Sequence, residues 1–209
     1  MGRIMPLILA VCLLCSSAHA QYFGQNKTRY RSFDFKILKT EHFDIHYYDE
    51  HSEAAVEFGR MAERWYSRFR VLLNHELSSR QIIVLYASHT DFRGTTVLPD
   101  YIGETTGGVT EGLRRRIIMP LAGPLADTDH VLGHELVHAF QFDMTSRPGP
   151  LGGSGLPGSL RFPLWFIEGM AEYLSVGPSD PHTAMWMRDA VKREQLPATK
   201  KLDDPKYFP

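Results

Sequence analysis

The stretch His134-Glu135-Leu136-Val137-His138, followed thirty residues on by Glu168 within Trp165-Phe166-Ile167-Glu168-Gly169-Met170-Ala171-Glu172-Tyr173, decides how this chain is read. Two histidines four residues apart on a helix project from nearly the same face, so both imidazoles can reach one ion. Glu135, between them, stands beside the coordination position where a metal-held water would sit. A second helix carrying Glu168 can supply a third protein donor and leave the fourth position open. Three donors and an open position mark a catalytic zinc site; a structural one is closed by four.

The surroundings of the motif agree with a helix. From Asp127 to Phe142, Val131, Leu132, Leu136, Val137, Phe140 and Gln141 surround the motif at helical spacing, with Asp127, Thr128 and Asp129 as an acidic, capped start. Glu168 and Glu172 repeat the four-residue step on a second helix, started by Pro163 and ended near Gly177-Pro178. Upstream, residues 33–48 hold two strand-like runs, in which Phe43, Ile45 and Tyr47 alternate with Asp44, His46 and Tyr48. Between Glu53 and Asn74, Ala55, Phe58, Ala62, Trp65, Phe69, Leu72 and Leu73 form one helical stripe. Gln81 to Ala87 returns to strand, with Ile82, Val84 and Tyr86 in alternation, and Gly107–Thr110 and Arg116–Met119 read as two short strands. Residues 147–159, with five Gly, three Pro and two Ser, read as a linker between the two ligand helices.

Residues 1–20 read as a signal peptide. Arg3 gives the positive start, Leu7 to Leu14 the apolar run, and Ala18-His19-Ala20 a small-x-small cleavage site before Gln21. The run is too short for a stable membrane anchor, and Leu14 before Cys15 does not suit lipidation. An exported chain, periplasmic or extracellular, with no transmembrane segment in its mature part, is expected. Both cysteines, Cys12 and Cys15, lie in the removed segment, so the mature chain 21–209 has no disulfide to form. It is long enough for one domain with a full core. Without Arg3, 22 Lys and Arg face 24 Asp and Glu, a balance that argues against a nucleic-acid or anionic-membrane partner.

The motif residues resemble the gluzincin metallopeptidases, and Pro163 to Tyr173 resembles the third-ligand helix of their bacterial peptidase MA-like branch. The segments Gln21-Tyr22-Phe23-Gly24-Gln25-Asn26-Lys27 and Thr40-Glu41-His42-Phe43-Asp44-Ile45 are similar to that branch as well. The resemblance implies an α+β, zincin-like fold: a small mixed twisted sheet packed on the H-E-x-x-H helix, then a mostly helical lower part. It implies His134, His138 and Glu168 as Zn2+ ligands and Glu135 as the general base that activates a zinc-bound water. It implies Glu172 as a carboxylate bonded to the outer nitrogen of one ligand histidine. In that branch a TolB-like β-propeller often follows, and Leu202 to Pro209 reads like the middle of a domain. A chain truncated at its C-terminus, with such a propeller missing from it, is therefore expected.

The expected activity is zinc-dependent hydrolysis of a peptide bond in a peptide or protein substrate. Tyr173, His182 and Tyr207 are candidate oxyanion donors. Glu111, after Gly107-Gly108, stands where gluzincin aminopeptidases anchor a substrate amino terminus, and the strand near Arg116 could pair with an extended substrate. His130 reads as a solvated first-turn histidine, because a fourth protein ligand would close the site. Arg114-Arg115-Arg116 reads as a solvated hairpin end, and Trp165 and Phe166 as core. The alternative is a non-catalytic, zinc-containing binding module of a larger envelope protein; a zinc hydrolase of non-peptide amides is a third reading. The intact Glu135 favours catalysis, since structural zinc needs no base beside an open position.

Overall fold

The computed structural model describes residues 32–48, 51–98, 101–121, 123–146 and 162–202. Residues 1–20, read as a signal peptide, the glycine-rich segment 147–159 and Tyr207 lie outside them. Strands β1 (Phe35–Lys39) and β2 (Phe43–Tyr48) are followed by helix α1 (Ser52–Leu72), strand β3 (Gln81–Tyr86) and the short helix α2 (His89–Arg93). Then come β4 (Val109–Glu111), β5 (Arg116–Pro120), α3 (Leu125–Ser146), α4 (Leu164–Val176) and α5 (Pro181–Lys192), with a 3₁₀ turn at Thr199–Lys201.

The chain is α+β, built on one five-stranded mixed sheet of order β1-β2-β3-β5-β4. β2, β3 and β5 run parallel in the centre, and β1 and β4 flank them antiparallel. Parallel neighbours need a crossover, and α1 supplies it between β2 and β3. The stripe expected on α1 is buried at Ala55, Phe58, Ala62, Trp65 and Phe69. Leu72, at the frayed end, is 54 % exposed instead.

Both faces of the sheet are covered, which corrects the simple alternation expected of its strands. Phe43, Ile45, Ile83, Leu85, Ile117 and Met119 face α1 and α3. Tyr48, Tyr86 and Ile118 face the other way, against Phe92 of α2, Leu98 and Ile102. In β3 it is therefore Ile83 and Leu85 that are fully enclosed, while Ile82 and Val84 are half-buried. Central strands covered on both faces carry near-continuous apolar runs, so alternation alone misplaces their inner face. α2, five residues long, is too short to leave a periodic signal; Ser88 caps it by accepting from the Asp91 amide at 3.1 Å.

α3 begins at Leu125, two residues before the expected start, so Asp127, Thr128 and Asp129 lie inside its first turns. Asp129 accepts from the Trp65 indole at 2.9 Å and from Arg64 at 2.8 Å, tying α3 to α1. At the other end, Asp143 is buried; it accepts from the Ser78 hydroxyl at 2.6 Å, lies 2.7 Å from His75 Nε2 and pairs with Arg115. Arg116 pairs with Glu111 across the hairpin. The hairpin end is thus not the solvated run expected, because two of its arginines are turned onto carboxylates. Trp165 is only half-buried and Phe166 40 % exposed, so neither is core; Ala171 is the buried residue of α4. Among the described residues no helix is long and apolar enough to cross a membrane.

At Gly133, α1 and α4 pack close against α3. A Cβ there would stand 2.9 and 3.0 Å from two Trp65 ring atoms and 3.2 Å from Ser175 Cβ. In an exposed helix, Gly to Ala gains about 1 kcal/mol. Here overpacking costs about 1–3 kcal/mol and opposes it. Gly133→Ala is expected to lower unfolding free energy in urea by about 1 kcal/mol; a gain would show that the helices part without strain.

Candidate metal centre

The centre is built by two helices whose facing sides carry polar residues in step. On α3, His134 and His138 share one side by the four-residue rule, and α4 passes Glu168 across them. Glu168 Oε2 lies 3.2 Å from His134 Nε2 and 3.2 Å from His138 Nε2, and the two nitrogens are 3.1 Å apart. Zinc with bonds of about 2.0–2.1 Å in a tetrahedron needs donors roughly 3.3 Å apart. The three donor atoms are close to that spacing on every edge, and the set could hold a metal ion.

Each ring is oriented from behind. His138 Nδ1 lies 2.8 Å from Gln141 Oε1, so a proton on Nδ1 is bonded there and Nε2 presents its lone pair inward. Gln141 in turn donates to the Ile167 carbonyl at 3.1 Å, next to Glu168, and so links α3 to α4. His134 Nδ1 lies 3.2 Å from Glu172 Oε2, one turn beyond Glu168. His130 Nε2 reaches the same oxygen at 3.1 Å, so the histidine expected to be merely solvated has a carboxylate partner.

Glu135 is buried, 6 % exposed, between the histidines. Its Oε2 accepts a hydrogen bond of 2.6 Å from Thr110 Oγ1 on β4. Two glycines let this strand approach so closely. A Cβ on Gly108 would stand 2.8 Å from Glu135 Cγ and 3.1 Å from Oε1, and one on Gly107 would stand 2.8 Å from Val131.

The electrostatics follow from burial and pairing. Burial depresses His134 and His138, but the Glu168 bonds and the Glu135 charge outweigh it, and both imidazoles stand above their ordinary value. The same bonds, from His134 and then His138, hold the Glu168 carboxyl down at about 2. Glu135 is displaced the other way: burial pushes it up, against the Thr110 bond and the two histidines.

A cleft of about 730 Å³ opens on these residues, walled by Gly107, Gly108 and Thr110 on one side and by Phe142, Leu164 and Ile167 on another. β4 is the edge strand beside it, whereas β5 is paired on both sides. The strand near Arg116 therefore has no free edge to offer an extended partner, whereas β4 has one. Glu111 is held by Arg116 and is not presented as an anchor. Tyr173 and His182 do not line the cleft: Tyr173 faces a neighbouring hollow beside Glu172, and His182 accepts from the Trp186 indole at 3.2 Å. Thr110 and Gln141 are functional candidates that the sequence reading missed. Gln141 had a signal, a polar residue three after His138 on the same helix side; Thr110 had none, because sheet order alone brings it to Glu135.

No family model matches the chain, and no curated protein matches it either.

The opposed shifts predict a pH window for the metal-free protein. Histidines raised above 6.5 stabilise fully below that value and lose the effect as pH rises through their folded pKa. Glu168, lowered from 4.5, stabilises fully above 4.5 and loses the effect as pH falls toward about 2. With chelator present, the pairing of the histidines with Glu168 is expected to contribute most between pH 4.5 and 6.5 and to shrink on either side. Buried Glu135 adds a loss as pH rises through its raised pKa. Urea unfolding of wild type and His138→Ala across pH checks this; identical profiles would show that the cluster contributes nothing.

Proposed function

We propose that this chain is a zinc-dependent peptide hydrolase of the gluzincin type, exported with residues 1–20 as its signal peptide to the periplasm or the extracellular space. The observation that carries the reading is a buried carboxylate, Glu135, set against a three-donor group of His134, His138 and Glu168 at the floor of an open cleft. A closed structural site has no use for a second carboxylate there, nor for a cleft. Zinc held by these three donors would supply a Lewis acid that polarises a carbonyl and acidifies a water.

The chain's own residues supply the rest. Glu135 takes the proton from the attacking water and can pass it to the leaving amine. Burial raises its proton affinity, which suits a base that must hold a proton briefly. Thr110 ties down Oε2 and leaves Oε1 beside Gly108, where the strand carries no side chain. Glu172 and Gln141 hold the outer nitrogens of the two histidines, and so fix which nitrogen faces the ion. An extended peptide can lie along the free edge of β4 and be held by main-chain bonds. A mixed sheet whose edge strand crosses the motif helix, with α4 and α5 following, is the layout that supports a zincin-like architecture.

Purified wild type is expected to carry zinc by elemental analysis, and His138→Ala to lose it. Glu135→Gln should keep zinc and fold while kcat/KM on a peptide library drops by about 1,000-fold or more, the scale of losing an acid–base group. Retention of comparable kcat/KM in Glu135→Gln would place the base elsewhere. A zinc-loaded wild type that cleaves no peptide would favour the binding-module alternative.

A further inference from the structure

The donor pattern of the candidate centre repeats one helical turn away. α3 carries His130, His134 and His138 at successive four-residue steps, and α4 carries Glu168 and Glu172 at the same step. The helices run in opposite senses, so moving back one turn on α3 and forward one turn on α4 arrives at an equivalent junction. There His130 Nε2 lies 3.1 Å and His134 Nδ1 3.2 Å from one oxygen, Glu172 Oε2. All three donor atoms lie within 4.8 Å of one another. Two of the edges match the roughly 3.3 Å that zinc requires.

We propose that His130, His134 and Glu172 form a second, weaker site for a divalent ion of the zinc or copper type. His134 is shared between the sites, its Nε2 facing inward and its Nδ1 outward. Imidazole and carboxylate donors suit these ions better than magnesium or calcium, which prefer oxygen alone. The outer junction is the more open one: the side chains of His130 and Glu172 are 38 % and 44 % exposed, so water can complete the coordination.

The outer site is weaker for two reasons on the same atoms. It must displace the hydrogen bond between His134 Nδ1 and Glu172, and the Nδ1 proton leaves to solvent when the ion arrives. It also has water competing at every donor. The inference rests on the proposed zinc centre only through the shared His134. Its consequence is regulatory: filling the outer junction withdraws Glu172 from His134 and changes the donor strength of an inner ligand, so free metal would modulate the enzyme.

Equilibrium dialysis of untagged, metal-stripped protein against rising Zn2+, read by elemental analysis, tests this. Wild type is expected to take up two zinc per chain in two resolved steps. His130→Ala and Glu172→Gln should each lose the weaker equivalent and keep the tighter one, and His138→Ala should lose the tighter and keep the weaker. Circular dichroism establishes that each variant is folded; His130 is exposed enough for Ala to be tolerated. A wild type that stops at one zinc, lost in His138→Ala but kept in His130→Ala, overturns the second site and leaves the first. One zinc with the opposite dependence leaves the outer site standing and removes the catalytic reading. A second equivalent that survives in both His130→Ala and Glu172→Gln also overturns the proposal.

Discussion

Everything at the candidate centre depends on the register at which α4 crosses α3. The contact is polar where helix contacts are usually apolar: Glu168 falls between His134 and His138, and Glu172 between His130 and His134. A slip of one turn would still set one carboxylate between two imidazoles but would leave the other junction unpaired, so the two junctions together favour the observed register. Apolar packing alone would not define the register so sharply, since α4 buries only Ala171 fully. The polar seam is therefore a positioning device as well as a ligand set. Gln141 closes it by bonding His138 on its own helix and the Ile167 carbonyl on the other.

The sheet contributes through its edge. β4 is three residues long, yet it carries Thr110 to Glu135, and the two glycines just before it pass over the motif helix. One strand thus holds Glu135 and forms a wall of the cleft. Under the proposed function, substrate binding and proton transfer would be joined there, since a shift of β4 moves both. The strand is held in turn by β5 and by the pairing of Glu111 with Arg116, a contact remote from the metal donors that still bears on the base.

What was legible in the sequence was what is local. His134, Glu135 and His138 fall together because a helix has a fixed period, and the Pro163 and Gly177 that bound α4 are residues whose backbone preferences end helices. The crossover helix was equally clear, since its stripe runs five turns. Non-local features were not. Nothing near Thr110 announces that β4 folds beyond β5 to reach Glu135. The inner face of β3 was misjudged because a strand covered on both sides has no polar face to betray its orientation. Trp165 and Phe166 were placed in the core on hydrophobicity, although α4 packs through Met170, Ala171 and Leu174 and leaves Phe166 at the surface. The inward turn of Arg115 depended on a buried acid, Asp143, twenty-eight residues later.

The division of the donors between a local pair and a distant carboxylate has a consequence for how the protein would acquire the proposed metal. His134 and His138 are one turn apart, so even an unfolded chain that forms a transient helix offers an ion two of its three ligands. Glu168 joins only when the second helix docks. An ion can therefore ride on the nascent chain before folding and be locked in by it. The stabilisation that metal lends to the folded state is then smaller than its affinity suggests, because the unfolded chain retains part of the grip. Under the proposed function, metal capture would begin on the unfolded chain and be completed when the second helix docks.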